Sequence, residues 1–139
     1  MAAPDLDRFV TAQDPVIDTV RRELAAGAKR THWMWFIFPQ LRALGRSQTA
    51  KFYGLDGVEE ARAYLGHAVL GARLLECTAL VNHVQGKTAC EIFGSPDDLK
   101  FRSCLTLFAA VRAEPFGEAL RHYYGGSPDP LTLELLHAA

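Results

Sequence analysis

Two segments of the chain hold the side chains best suited to chemistry. The first carries His32, Trp33, Trp35, Gln40 and Arg46; the second carries Lys100, Arg102, Ser103 and Thr106. An imidazole titrates near neutral pH, and the indole rings offer stacking walls. Arg46 presents a planar fork to an anion and Lys100 a point charge. Gln40 and Ser103 both donate and accept, so either can read a hydroxyl or an amide edge. An apolar wall with a few such polar groups is the make-up of a cofactor-sized cleft. The ligand these residues suit is a small anionic, nucleotide-like molecule, and its site would have to bring the two segments together.

Each residue also has an ordinary explanation. Trp33 and Trp35 lie in an uninterrupted apolar run, Trp33 to Phe38, and so suit a core. Arg102 can pair with Asp98 at i,i+4 on a solvated helix face, worth a few tenths of a kcal/mol. Lys100 can bring its ammonium to water along an apolar edge. The five histidines, His32, His67, His83, His122 and His137, have no HxxxH, HExxH or paired Cys/His spacing. No metal site is therefore expected. No GxSxG elbow or cysteine nucleophile motif is present, and Gly45, Gly54, Gly57 and Gly94 do not have phosphate-loop spacing. Glu59-Glu60 and Asp97-Asp98 read as charge at helix N-termini. No cofactor is expected, and the residues leave open whether the domain is an enzyme. An interaction module that binds a partner protein, through an apolar groove or the C-terminal helix, is the alternative.

Composition narrows the setting. At 139 residues the chain suits one domain spanning residues 1–139, which would bury about 65–70% of its unfolded surface without a disulfide or metal staple. Fifteen basic residues against sixteen acidic give a net charge of −1, which argues against a nucleic-acid partner. The nearest approach to a basic track is Arg21-Arg22 with Lys29-Arg30. Met1 to Val10 lacks the pattern of a secretory leader, and Trp33–Phe38 is too short to span a bilayer. Cys77, Cys90 and Cys104 contain no CxxC pair and read as free thiols in a reducing, cytoplasmic setting.

The elements that must position these residues are helices. Asp14-Pro15 starts one, whose stripe is Val16, Ile17, Val20 and Leu24, with Gly27 to end it. Ser95-Pro96-Asp97-Asp98 and Asp129-Pro130 repeat the start signal. Val58–Leu65, Ala68–Val84 and Pro115–Tyr124 are further helices, the last stopped by Gly125-Gly126. In the helix after Pro96, Cys104, Leu105, Leu107, Phe108 and Val111 form the apolar face. Arg102, Ser103 and Thr106 lie on the opposite arc beside Ala109 and Ala110, where they could floor a groove. The stretch Thr31 to Gln40 has local strand propensity, but a lone buried strand would leave its backbone groups unpaired. A central helix broken at Pro39 is the expectation. The fold class is thus all-α, a single compact multi-helical domain with a buried aromatic-rich central segment.

The block His32-Trp33-Met34-Trp35-Phe36-Ile37-Phe38-Pro39-Gln40-Leu41, followed by Leu44-Gly45-Arg46-Ser47, resembles the signature of an uncharacterised family, domain of unknown function 1810. Its members are small bacterial and fungal proteins, some of them mislabelled calpastatin. Glu60-Ala61-Arg62-Ala63-Tyr64-Leu65, Leu70-Gly71-Ala72-Arg73-Leu74, Ile92-Phe93-Gly94, Asp97 through Phe108 and Gly126 to Leu136 fit in order, so the resemblance covers nearly the whole chain. One departure is Ser103-Cys104-Leu105-Thr106, where the family tends to read Ser-Ser-Met-Thr; it weakens any role for a hydroxyl at position 104. The resemblance implies a mainly α-helical single domain and no particular activity.

Overall fold

Helices account for the regular structure throughout, as the Pro-initiated segments predict. The structure, a computed structural model, describes residues 5–138. The first residues of the Met1–Val10 segment read for a leader, and the outermost ends of the 1–139 span, lie outside the described residues. In chain order come α1 (Asp7–Gln13), α2 (Ile17–Ala26), α3 (Met34–Ile37), a 3-10 turn (Arg42–Leu44), α4 (Gln48–Phe52), α5 (Val58–Gly66), α6 (Leu70–His83), α7 (Ala89–Phe93), α8 (Asp97–Ala109), α9 (Phe116–Tyr124) and α10 (Pro130–Ala138). No strand occurs among the described residues, and no helix there is long and apolar enough to cross a membrane.

The element at the centre is α8. It is surrounded by α5, α7, α9 and α10, and every residue from Ser103 to Phe108 is buried. This corrects the wheel reading at Thr106, which lies on no groove floor, whereas Ser103, though buried, still borders a cleft. The arc is covered by the segment leading into α10. Their hydroxyls tolerate burial because each donates to the carbonyl four residues back, Ser103 to Leu99 at 3.1 Å and Thr106 to Arg102 at 2.8 Å. Around α8 run two aromatic chains. Phe38 sits edge-on to both Phe93 and Phe101, and Tyr64 links Phe9 to Phe108 and onward to Phe116.

The tryptophan block is not the continuous helix expected from Thr31 to Gln40. Only one turn forms, Met34–Ile37, and the chain leaves it at Phe38 with φ −122° and ψ 74°. Pro39 disfavours helical backbone at the residue before it and supplies no donor of its own. The freed backbone pairs instead with a distant extended residue. Leu55 donates to the Gln40 carbonyl at 2.9 Å, and Arg42 donates to the Leu55 carbonyl at 2.7 Å, a single parallel bridge. That crossing needs Gly54, because a Cβ there would lie 2.3 Å from the Arg42 Cα. Trp33, Met34, Ile37 and Phe38 are buried, while Trp35 and Phe36 are half-buried. The block thus supplies one wall of the core, and Phe36 is not fully enclosed as expected.

Asp14-Pro15 does not cap α2. The helix begins at Ile17 with Val16 at its cap, and Asp14 instead closes α1 through its N–H to the Val10 carbonyl. Its carboxylate is taken by Arg73 of α6 at 2.9 Å. The stripe Ile17, Val20 and Leu24 is buried, and Gly27 ends the helix at φ 68°.

Candidate functional site

The first anchor is Glu23, near the end of α2. Its carboxylate gathers the Arg30 and Thr31 N–H groups, the Thr31 hydroxyl and the Trp33 indole N–H, at 2.8 to 3.2 Å. Partial burial pushes its carboxyl up, but these hydrogen bonds outweigh that and hold it below its ordinary value. They fix the loop that delivers Lys29 to Asp97 at 2.9 Å, and Trp33 to the core.

Asp97 stands in the first turn of α8 and also faces Lys100, at 3.6 Å. One carboxylate thus serves two lysines, the closer of which is Lys29. The Lys100 ammonium also lies 5.4 Å from the centre of the Trp35 ring, a cation–π contact that directs the side chain.

The second anchor ties α10 to α8. Arg102 donates to the Ser127 and Pro128 carbonyls and to the Ser127 hydroxyl. The Asp129 N–H donates to the Thr106 hydroxyl at 2.8 Å. Asp129 then caps α10, its Oδ2 accepting from the Thr132 N–H at 3.0 Å and hydroxyl at 2.6 Å. The Ser103 hydroxyl reaches the same oxygen at 3.3 Å.

Between these anchors lies a cleft of about 500 Å³, lined by Gln40, Leu44, Arg46, Ser47, Ala50, Pro96, Leu99, Lys100, Ser103, Asp129 and Leu131. Its volume falls within the roughly 300–1,000 Å³ of small-molecule sites, and its lining surface is mostly apolar although six of the eleven residues are polar or charged. The 3-10 turn and α4 form one wall, α8 the floor, and the start of α10 the other wall. Ser47 is occupied in capping α4, accepting from the Ala50 N–H at 3.1 Å. Among the described residues Arg46 makes no ion pair and the Gln40 amide no hydrogen bond, so both are available to a ligand. Leu99 and Leu131 stand at the cleft 56% and 59% exposed.

Of the nine residues singled out from the sequence, Gln40, Arg46, Lys100 and Ser103 meet around this cleft. Trp35 lies behind Lys100, in a notch of only about 10 Å³ shared with Gln40, and so cannot stack a ligand in the main cleft. Trp33 is 1% exposed and its indole N–H is committed to Glu23, which excludes it as a stacking wall. His32 is exposed and does not line the cleft. Arg102 and Thr106 hold the Ser127–Asp129 segment, and Arg102 does so in place of the expected Asp98 pair. Asp129 was read only as a helix start; the same Asp-Pro signal placed a carboxylate in the cleft. No group of three or more His, Cys, Asp or Glu side chains among the described residues is arranged to hold a metal ion. Cys77 and Cys104 are buried free thiols and Cys90 an exposed one.

A helical domain with a half-open, largely apolar cleft defines the class of protein. The chain matches the family described as Protein of unknown function (DUF1810) over residues 3–136, and it belongs to that family. It is similar to the conserved hypothetical protein Rv1873 from Mycobacterium tuberculosis, whose crystal structure was determined at 1.38 Å. The two share 55% identity with a TM-score of 0.95, over 97% of this chain and 98% of that one. No curated protein matches the chain. Neither likeness brings an activity or a ligand with it.

Proposed function

We propose that this protein binds a small anionic molecule in the cleft between α4, α8 and the start of α10. The observation that carries the reading is that Arg46 and Lys100 open onto one cavity of about 500 Å³. Among the described residues Arg46 has no ion-pair partner, and Lys100 pairs only with Asp97, which the closer Lys29 shares. Lys100, its side chain only 27% exposed, gains more from an anion than the same group in water, and the exposed Arg46 stands at the mouth to meet the ligand's charge. Leu44, Ala50, Leu99 and Leu131 supply the apolar wall for the rest of the ligand. The cationic groups occupy a cleft and not a surface stripe, which supports a small molecule over nucleic acid. The three free thiols support a reducing compartment such as the cytoplasm.

A thermal-shift titration with inorganic phosphate, ribose 5-phosphate and adenosine monophosphate tests the reading. A ligand that binds only the native state raises the melting temperature by mass action, about 2.7 kcal/mol at a hundred times its dissociation constant. Stabilisation that disappears in Lys100→Ala and Arg46→Ala, both folded, supports it. A flat response to all three anions in the millimolar range overturns it.

The half-exposed pair Leu99 and Leu131 favours a second reading, in which the same mouth receives an apolar segment of a partner protein. Leu99→Ser with Leu131→Ser, which adds no charge to the cleft, would abolish that docking while inorganic phosphate, which needs no apolar wall, still binds.

A further inference from the structure

The two oxygens of Asp129 are in different situations. Oδ2 accepts from the Thr132 N–H and hydroxyl and lies 3.3 Å from the Ser103 hydroxyl, whose one proton it shares with the Leu99 carbonyl. Oδ1 has no donor among the described residues, and it is not among the buried polar atoms lacking a partner. Oδ1 is therefore open to solvent, and Asp129 is one of the residues that line the cleft. The carboxylate cannot turn away, because capping α10 and the Thr106 bond to its backbone N–H fix it at both ends. Ser103 and Lys100 are three residues apart on α8, one helical turn, or about 5 Å along the axis. A carboxylate and an ammonium thus line one cleft without pairing with each other. A plain anion gains nothing from Asp129 and is repelled by it. A molecule that carries its negative charge at one end and hydroxyls at the other matches both.

Resting on the anion-binding reading above, we propose that the ligand is a phosphorylated polyol of the pentose phosphate type, alone or within a nucleotide. Its phosphate lies on Arg46 and Lys100, and a hydroxyl donates to Asp129 Oδ1. The Gln40 amide is free to meet a second hydroxyl. Asp129 then acts as a specificity residue: it accepts a hydroxyl proton and repels unsubstituted anions. A hydrogen bond to a charged acceptor is strong enough to give about tenfold discrimination.

The test is isothermal titration of the full chain with inorganic phosphate, ribose 5-phosphate and 2-deoxyribose 5-phosphate, repeated on Asp129→Asn. Asparagine keeps the helix cap and removes the charge. The wild type is expected to bind ribose 5-phosphate at least about tenfold more tightly than phosphate. In Asp129→Asn that preference collapses, while phosphate itself binds as well as before or better. The 2-deoxy sugar reports whether the 2-hydroxyl is the one held. If phosphate binds but the sugar phosphate binds no more tightly, the anion site stands and this inference falls. It also falls if the preference survives in Asp129→Asn with unchanged phosphate affinity. If none of the three binds, the anion reading fails and the inference with it.

Discussion

The Thr106 hydroxyl accepts the Asp129 N–H at 2.8 Å while donating to the Arg102 carbonyl at 2.8 Å, so one side chain joins the middle of α8 to the first residue ahead of α10. Thr106 is 3% exposed, and the bond sits between the core and the cleft wall. Thr106→Val keeps the shape and removes the acceptor. The unpaired N–H should cost about 1–3 kcal/mol in urea denaturation. Hydrogen exchange over residues 127–138 should quicken more than exchange over α6. Unchanged protection of that segment would mean that Arg102 alone holds it.

The core prediction separates two neighbours. Phe38 is 1% exposed and contacts Trp33, Phe93 and Phe101, so Phe38→Ala should cost about 3–5 kcal/mol. Phe36 is half-buried against Tyr53, and Phe36→Ala should cost only about 1–2 kcal/mol. Equal losses in chemical denaturation would contradict the single-turn geometry of this block.

Glu23 gives a pH dependence with a definite sign. Its carboxyl is held below its ordinary value of 4.5 by donors that exist only in the folded loop, despite the opposing effect of burial. The stability it contributes is complete above that ordinary value and is lost as pH falls through the lowered native one. Urea midpoints measured from pH 7 down to pH 3 should fall less steeply in Glu23→Gln than in the wild type. Parallel profiles would remove Glu23 from the acid response.

The thiols should divide cleanly. Burial pushes Cys77 up to about 12 and raises Cys104 well above the ordinary thiol range, whereas Cys90 is exposed. A colorimetric thiol reagent at pH 8 should label one cysteine in native protein and three after denaturation. Rapid labelling of two or more in the native state would show that the packing around α6 or α8 opens readily.

Where local chemistry decides, the sequence was readable. The apolar stripe Ile17, Val20 and Leu24 and the αL glycine after it are properties of neighbours a few residues apart. So is the start of α10 at Asp129-Pro130. The capping box Thr88–Glu91 that opens α7 was equally local and was overlooked, because the helix it starts is only five residues long. Distant pairings were not readable. Nothing near Gln40 announces that Leu55 will pair with it, and nothing near Asp14 announces Arg73. The candidate site divides in the same way. Arg46 and Lys100, singled out by residue type, both border the cleft. The removal of Trp33 by Glu23, and of Arg102 by the Ser127–Pro128 carbonyls, depends on partners 10 to 26 residues away.

The most direct measurement of the central claim is an amide and indole proton–nitrogen correlation spectrum during titration with ribose 5-phosphate. The two tryptophans provide an internal control. Trp35 lies under the Lys100 ammonium, while the Trp33 indole N–H is closed off on Glu23. A ligand in the cleft should shift the Trp35 indole signal saturably, along with the Arg46, Lys100 and Asp129 amides, and leave the Trp33 indole in place. A spectrum in which none of these signals moves at millimolar ligand, or in which changes cluster away from the α4, α8 and α10 walls, would contradict the cleft as the binding site.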